Sequence, residues 1–353
     1  LFRRVRRVWV LVTLSCTLGI AALGANAGDG GISGLVIAGY FALCGAMWIG
    51  LGTLHTLRAP GGTAAATVGG LIGVVFGVEA AGLHMFVAHW LGLAIAAGIA
   101  WVWALRLERI SARRAPLNPV PRAWTVSMRP YFLYGGFYFV FLVLDRLIGW
   151  TFAAAPYLIR FRAAYEIGQA AALAAFFLAV PMLEFIADRA AHRIARAASA
   201  FDAFQIEAHN RLLQRHYAQD VGLVLAAFGA GFTAVAALVY GAYGAGIANI
   251  FASSGVTEIV FLLASGGYAL LAWALLNCLI LFSITRPAWV VRALLLALIT
   301  NAVTGFLLSR TVAYWHSVLG FGAGTAVFAL ITAYHVVRSL RRMDYYIYAA
   351  YEV

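Results

Sequence analysis

The sequence predicts an all-α polytopic membrane protein with about ten transmembrane helices. Three observations predict it. Of 353 residues, 64% are hydrophobic and only 11% are charged, whereas soluble domains carry about 25% charged residues. The apolar residues fall in long continuous blocks and the mean hydropathy is +0.89; a hydrocarbon core ~30 Å thick needs about 20 such residues per helix. The blocks do not alternate in polarity, which argues against a β-barrel.

The formal net charge is +12, and Arg supplies all of the basic charge beyond histidine. The arginines cluster between apolar blocks. That is the pattern of membrane topology rather than of nucleic-acid binding, so the expected environment is a lipid bilayer and no nucleic-acid partner is expected. Cys16, Cys44 and Cys278 lie inside apolar runs without metal spacing or a disulfide framework. They read as small buried hydrophobes.

Taken in order, the spans are expected at 8–25, 32–54, 64–83, 87–105, 131–150, 167–186, 220–240, 257–283, 288–308 and 318–337. The basic start, Leu1 to Arg7, followed by an apolar run mimics a signal peptide. It lacks a small-residue cleavage site and is followed by further spans, so it reads as a membrane span. The third and fourth spans are joined by a few residues around "LHMFVAH" and should form a hairpin. The eighth is long enough to tilt, or to break at Ser265-Gly266-Gly267.

The arginines orient these spans. With Arg3, Arg4, Arg6 and Arg7 inside, the inner loops carry Arg58, Arg106, Arg109, Arg113, Arg114, Arg122, Arg129, Arg189, Arg193, Arg196, Arg211, Arg215, Arg286 and Arg292. The tail adds Arg338, Arg341 and Arg342, and only Arg160, Arg162 and Arg310 fall outside. This positive-inside pattern predicts an even number of spans with both termini cytoplasmic.

Four parts follow. Residues 1–107 hold four spans. Residues 108–130 form a linker rich in Arg and Pro, with Pro116, Pro119, Pro121 and Pro130. Residues 131–338 hold six spans, and 339–353 form a cytoplasmic tail. Within the six-span part, 188–220 contains neither Pro nor Gly. Ile194, Ala198, Phe201, Ala208 and Leu212 recur there at helical spacing on one side, with Arg193, Arg196, Glu207 and Arg211 among the polar positions. This is the expected cytoplasmic amphipathic helix. It either lies on the lipid surface or extends a span, or it offers a docking surface.

Polar groups inside the spans are the functional candidates. Gly69, Gly73, Gly77 and Ala81, four residues apart, let two helix backbones approach closely. Glu79 on the same span is either an intramembrane functional carboxylate or an interfacial acid near the hairpin turn. His84 and His89 are five apart, which favours a polar turn over a metal site. In "FLVLDRLIGWTF", Asp145 and Arg146 stand side by side about 21 Å along the fifth span. Adjacent side chains on a helix diverge by about 100°, so these two cannot share one partner. They either snorkel outward, with Trp150 as an interfacial ring, or line a hydrated path. Snorkelling explains the short Asp145 less well.

On the sixth span, Pro181 should loosen the helix and Glu184 reads as a surface position. The outer segment "APYLIRFRAAYE" combines Arg160 and Arg162 with Tyr157, Phe161, Tyr165 and Glu166. Such a mixture suits a sugar face and also a membrane interface. Glu258, Asn277 and Asn301 are further intramembrane polar groups that commonly tie helices together.

The chain has no P-loop, no Asp-x-Asp pair on a loop and no nucleophile–base set in recognisable context, so no cofactor is expected. It reads as a conduit or carrier rather than an enzyme.

"YGGFYFVFLVLDRLIGW", Tyr134 to Trp150, resembles a span of the PelG-type exopolysaccharide export proteins. That family belongs to the flippase superfamily of MATE and MurJ-like transporters. Its aromatic, Gly-containing span running into Asp, a basic residue and Trp is matched here by Asp145, Arg146 and Trp150. Arg146 stands where Lys is common, and Gly149 where an aromatic is common. "FFLAVPMLEF" resembles the family's next span, and the long cytoplasmic helix and the tail "RRMDYYIY" also fit. The resemblance covers about residues 125–353.

It implies a MATE-like two-bundle flippase fold of twelve spans. Here the first bundle is incomplete, with four spans before the linker, and together with the non-Met start this reads as a lost N-terminal piece. It also implies transport of a growing, N-acetylhexosamine-rich exopolysaccharide across the bacterial inner (cytoplasmic) membrane for the biofilm matrix. Implied partners are a cytoplasmic glycosyltransferase, a cyclic-di-GMP-binding membrane protein and a tetratricopeptide-repeat membrane protein. The alternatives are a cation-coupled flippase of lipid-linked oligosaccharide or small molecules and, on weaker grounds, a membrane-embedded glycosyltransferase or polymerase. The transport-path candidates are Asp145, Arg146, Glu79, Glu258, Arg160, Arg162, Tyr157 and Trp150.

Overall fold

The computed structural model describes residues 32–56, 59–82, 85–112, 122–153, 160–199, 206–244 and 255–343. Those residues are helical throughout except for short turns. Nine α-helices follow in order: α1 (Ile32–Thr56), α2 (Pro60–Glu79), α3 (Met85–Ala112), α4 (Arg122–Trp150), α5 (Ala163–Ser199), α6 (Ile206–Gly244), α7 (Gly255–Ser283), α8 (Pro287–Thr311) and α9 (Ser317–Leu340). A short 3-10 turn, Tyr314–His316, links the last two. Eight of these helices, α2 to α9, are long and apolar enough to cross a membrane. The chain is a polytopic helical membrane protein by this measure. Helix α1 has 25 residues. The span expected at 8–25, with Cys16, lies outside the described residues.

The chain divides into two compact units at Trp124/Thr125, inside the stretch that the prolines mark. The expected linker at 108–130 is shorter than its composition implied. Helix α3 continues to Ala112 and α4 begins at Arg122. Pro130 is therefore inside a helix. A proline inside a helix removes one backbone hydrogen bond and crowds the preceding turn, which can kink a helix without ending it.

In the first unit α2 and α3 form the expected hairpin, turning at Gly82 with φ +60. Their backbones meet through glycine. A Cβ on Gly70 would stand 2.9 Å from the Ala96 methyl and 3.1 Å from the Gly92 carbonyl. The close face thus includes Gly70 as well as Gly69 and Gly73, and Ala81 is exposed beyond the helix end. Helix α1 lies along α3, where the Trp101 indole donates to the Ala46 carbonyl at 2.8 Å. Leu54, Ala66, Ala100 and Ala104 form the small buried core. His84 lies outside the described residues. His89 is in α3, 3.3 Å from the Tyr40 hydroxyl.

The second unit is a bundle of α4 to α9 with α7 packed against α5, α6 and α9. Its centre is aromatic: Phe141 meets Phe321 at 5.7 Å between ring centroids, and Phe321 meets Tyr268 at 4.9 Å. Lipid tails are as apolar as leucine, so such helices are held by close packing and by polar groups without another outlet. Both are present. A Cβ on Gly320 would come 2.7 Å from the Asn301 carbonyl, so α8 and α9 touch backbone to backbone there. Asn301 donates to the Phe141 carbonyl at 3.2 Å, tying α8 to α4. Asn277 accepts from Tyr217 at 2.7 Å and donates to Thr332 at 3.1 Å, tying α7 to α6 and α9. Cys278 is buried and free, and Cys44 is half-buried and free.

Two open points are decided here. Helix α7 runs unbroken through Ser265-Gly266-Gly267. Gly267 is there for contact: a Cβ would stand 2.7 Å from the Phe321 ring. The described parts of 188–220 belong to two helices, held together by Asp220 between Arg189 and Arg193, while 200–205, with Phe201, lie outside the described residues. Helix α5 runs on to Ser199, through Pro181, and α6 starts afresh at Ile206. With 37 and 39 residues, they are about 55 and 58 Å long at 1.5 Å per residue, well beyond a ~30 Å hydrocarbon core. Both surpluses lie at the same end, making a two-helix extension.

The inward side of α6 also differs from the apolar stripe read from sequence. Asn210, Leu213 and Asp220 are buried, while Ala208 and Leu212 are exposed. Polar partners explain the shift. Arg189 and Arg193 each donate to Asp220 at 3.0 Å, and Asn210 donates to the Arg341 carbonyl at 3.1 Å.

Candidate functional site

Asp145 sits five residues before the end of α4 and is 1% exposed. A bare carboxylate at such a place costs several kcal/mol, so it needs donors. It finds them on α5. The Tyr165 hydroxyl donates to Oδ2 at 2.5 Å and the Gln169 amide at 2.6 Å. Tyr165 and Gln169 are four apart, one above the other on a helix face. Gln169 Nε2 also reaches the Tyr165 oxygen at 3.2 Å, which closes the set.

Arg146 leaves α4 in another direction and meets the other side of the same helix. Its Nη1 donates to Glu166 Oε2 at 3.3 Å, and the Trp150 indole donates to Oε1 of the same carboxylate at 2.9 Å. The Tyr268 hydroxyl of α7 also faces this guanidinium. The two side chains of the ion pair keep 20% and 15% exposure, so it is partly accessible while Asp145 is not. The pair that is adjacent in sequence thus docks onto a second adjacent pair, Tyr165 and Glu166, as the divergence of neighbouring helical side chains requires.

Just before α5, Arg162 donates from Nη2 to the Phe152 carbonyl at 2.7 Å, tying the start of α5 to the end of α4. Its guanidinium lies over the Tyr314 ring at 4.8 Å. Arg160 is exposed, with its backbone N–H on the Trp150 carbonyl at 2.8 Å, and Trp150 packs on Phe161 at 5.8 Å.

The fold therefore brings Asp145, Arg146, Trp150, Arg160 and Arg162 to one end of the second bundle. Tyr157 lies outside the described residues. Glu79 is in the other unit, exposed at the last position of α2. Glu258 is exposed in the first turn of α7 and accepts from Tyr240 at 2.7 Å. A carboxylate suits a helix N-terminus, and that placement accounts for Glu258. Glu184 is exposed on α5. Sequence reasoning did not single out Gln169 or Tyr268. The amide of Gln169 in an apolar run, four residues after Tyr165, is the signal by which it was legible.

Chemically the cluster is a set of hydrogen-bonded charges. Among the described residues no three His, Cys, Asp or Glu side chains come together as metal ligands. No protein family, curated protein or solved structure matches this chain.

Proposed function

We propose that this chain is a transport subunit that passes a growing, N-acetylhexosamine-rich exopolysaccharide across the bacterial cytoplasmic membrane, with a MATE-like arrangement of its bundles. In this reading it is a carrier and not an enzyme. It works beside a cytoplasmic glycosyltransferase, a cyclic-di-GMP-binding membrane protein and a tetratricopeptide-repeat membrane protein, with both its termini on the cytoplasmic side.

One observation carries the reading. The stretch that resembles the PelG-type family, about 125–353, is coextensive with the second compact unit, Thr125–Val353. The landmark of that resemblance, Asp145, Arg146 and Trp150, is joined to the following span by Tyr165, Glu166 and Gln169. This reading divides the labour among them. Asp145 holds α4 on α5, and Arg146, Glu166 and Trp150 are the members that a sugar chain could touch. Polar rings and guanidinium planes suit sugar faces.

The test is secretion of hexosamine polymer by cells in which this gene is deleted and then restored. Deletion should abolish secretion, and Arg146→Gln should reduce it while the protein inserts normally. Full secretion from the deletion strain would overturn the proposal. A specific observation keeps the flippase alternative in view: Asp145 is a buried intramembrane carboxylate, a residue type that marks ion pathways in carriers. Cation-driven uptake of a labelled oligosaccharide by the purified protein alone, without a synthase, would favour that reading.

A further inference from the structure

An arginine side chain is long, flexible and carries five N–H donors in one plane. One contact does not fix such a group. Arg146 gives Nη1 to Glu166 Oε2 at 3.3 Å, and the other oxygen of that carboxylate is taken by the Trp150 indole. Its Nε is buried and makes no hydrogen bond. The acidic neighbour in the chain, Asp145, accepts from Tyr165 and Gln169 instead. Glu166 therefore holds one edge of the guanidinium, and something else has to set its inner edge.

Tyr268 of α7 stands there. Its hydroxyl faces the guanidinium, yet the residue is 1% exposed, so it meets Arg146 from the inside of the bundle. Its ring lies 5.6 Å from Phe176 of α5 and 4.9 Å from Phe321 of α9, between centroids. The next residue back, Gly267, leaves no slack: a Cβ there would stand 2.7 Å from the Phe321 ring. Three helices thus fix where this hydroxyl sits.

Packing alone does not call for a hydroxyl. A Phe ring fills the same place between Phe176 and Phe321, and a hydroxyl buried in an apolar bundle costs free energy unless a polar group uses it. Arg146 is the polar group it faces. The guanidinium then has an inner edge against Tyr268 and an outer side that stays partly accessible beside Glu166 and Trp150.

We propose that Tyr268 is a positioning residue for sugar recognition: it backs the guanidinium of Arg146 so that the accessible N–H groups present themselves, with Glu166 and Trp150, to the hydroxyl and amide oxygens of an N-acetylhexosamine chain. The inference rests on the transport reading and adds to that site a residue that touches no sugar. It acts only through Arg146.

Calorimetric titration of the purified full chain with chitotetraose tests it, with affinities expressed per folded molecule. Tyr268→Phe should weaken binding about fivefold and Arg146→Gln about tenfold. In the Arg146→Gln background, Tyr268→Phe should bring no further loss, because the group it positions is gone. Tyr217→Phe removes another buried hydroxyl, one that donates to Asn277; it should lower the melting midpoint and leave the affinity unchanged. Wild-type affinity in folded Tyr268→Phe overturns the proposal. So does an equal loss from Tyr268→Phe with and without Arg146, which is what a purely structural role gives. If Tyr268→Phe does not fold, Arg146→Lys makes the comparison. It keeps the charge without the planar fork that spans Glu166 and Tyr268, so it should bind as weakly as Arg146→Gln; wild-type affinity would overturn the proposal. No binding of chitotetraose by the wild-type protein would instead count against the transport reading, and this inference would fall with it.

Discussion

The carboxylate of Asp145 accepts a 2.5 Å hydrogen bond from the Tyr165 hydroxyl, across the face where α4 meets α5. With Gln169 at 2.6 Å it forms a buried set, while the side chain of its neighbour Arg146 donates to Glu166. Tyr165→Phe should therefore cost about 1–3 kcal/mol of stability, because the carboxylate loses one of its two donors without access to water. Thermal denaturation of the purified protein in detergent measures this. Secretion should fall only as far as the amount of folded protein falls. A larger loss of secretion would place Asp145 on the transport path itself.

Arg146 and Glu166 are less enclosed, and Trp150 shares the carboxylate. A double-mutant cycle with Arg146→Gln and Glu166→Gln should give a coupling energy of about 1 kcal/mol. Secretion by the same variants should fall by more than that energy accounts for, if the pair touches polymer. Unchanged secretion from both single variants would confine the pair to holding α4 on α5.

The α5–α6 extension is clamped by Asp220 between Arg189 and Arg193. Asp220→Ala leaves two guanidinium groups without their partner. We expect the end of α5 and the start of α6 to loosen by about 2 kcal/mol, read as roughly thirtyfold faster amide exchange there. The α7–α8–α9 core should keep its protection.

Gly320→Ala should cost about 2 kcal/mol, because its new methyl meets the backbone of α8. Gly322→Ala, two residues on, points into open space and should stabilise by about 0.5–1 kcal/mol. Paired melting curves of the two variants check the sign of each.

Thr285, in the turn between α7 and α8, has φ 58, a left-handed conformation that a β-branched residue adopts only under strain. Thr285→Gly should relieve about 1 kcal/mol. A lower melting point for this variant would contradict the strain.

Hydrophobic composition and block length by themselves determined the membrane class and the positions of most helices. They did so because a bilayer leaves a chain few options: about 20 apolar residues whose backbone polar groups are satisfied within the segment. Helix geometry also made it legible that Asp145 and Arg146 need separate partners on another element. What sequence could not supply was the identity of those partners, the inward side of α6 and the course of the chain across Pro130 and Ser265-Gly266-Gly267. Polar and glycine residues inside a span behave according to what faces them. Leu212 is exposed and Asp220 buried because Arg189 and Arg193 reach Asp220. Tyr268 faces Arg146 because α7 packs against α5, onto which α4 is tied. Those contacts join residues distant in the chain, and only the tertiary structure decided them.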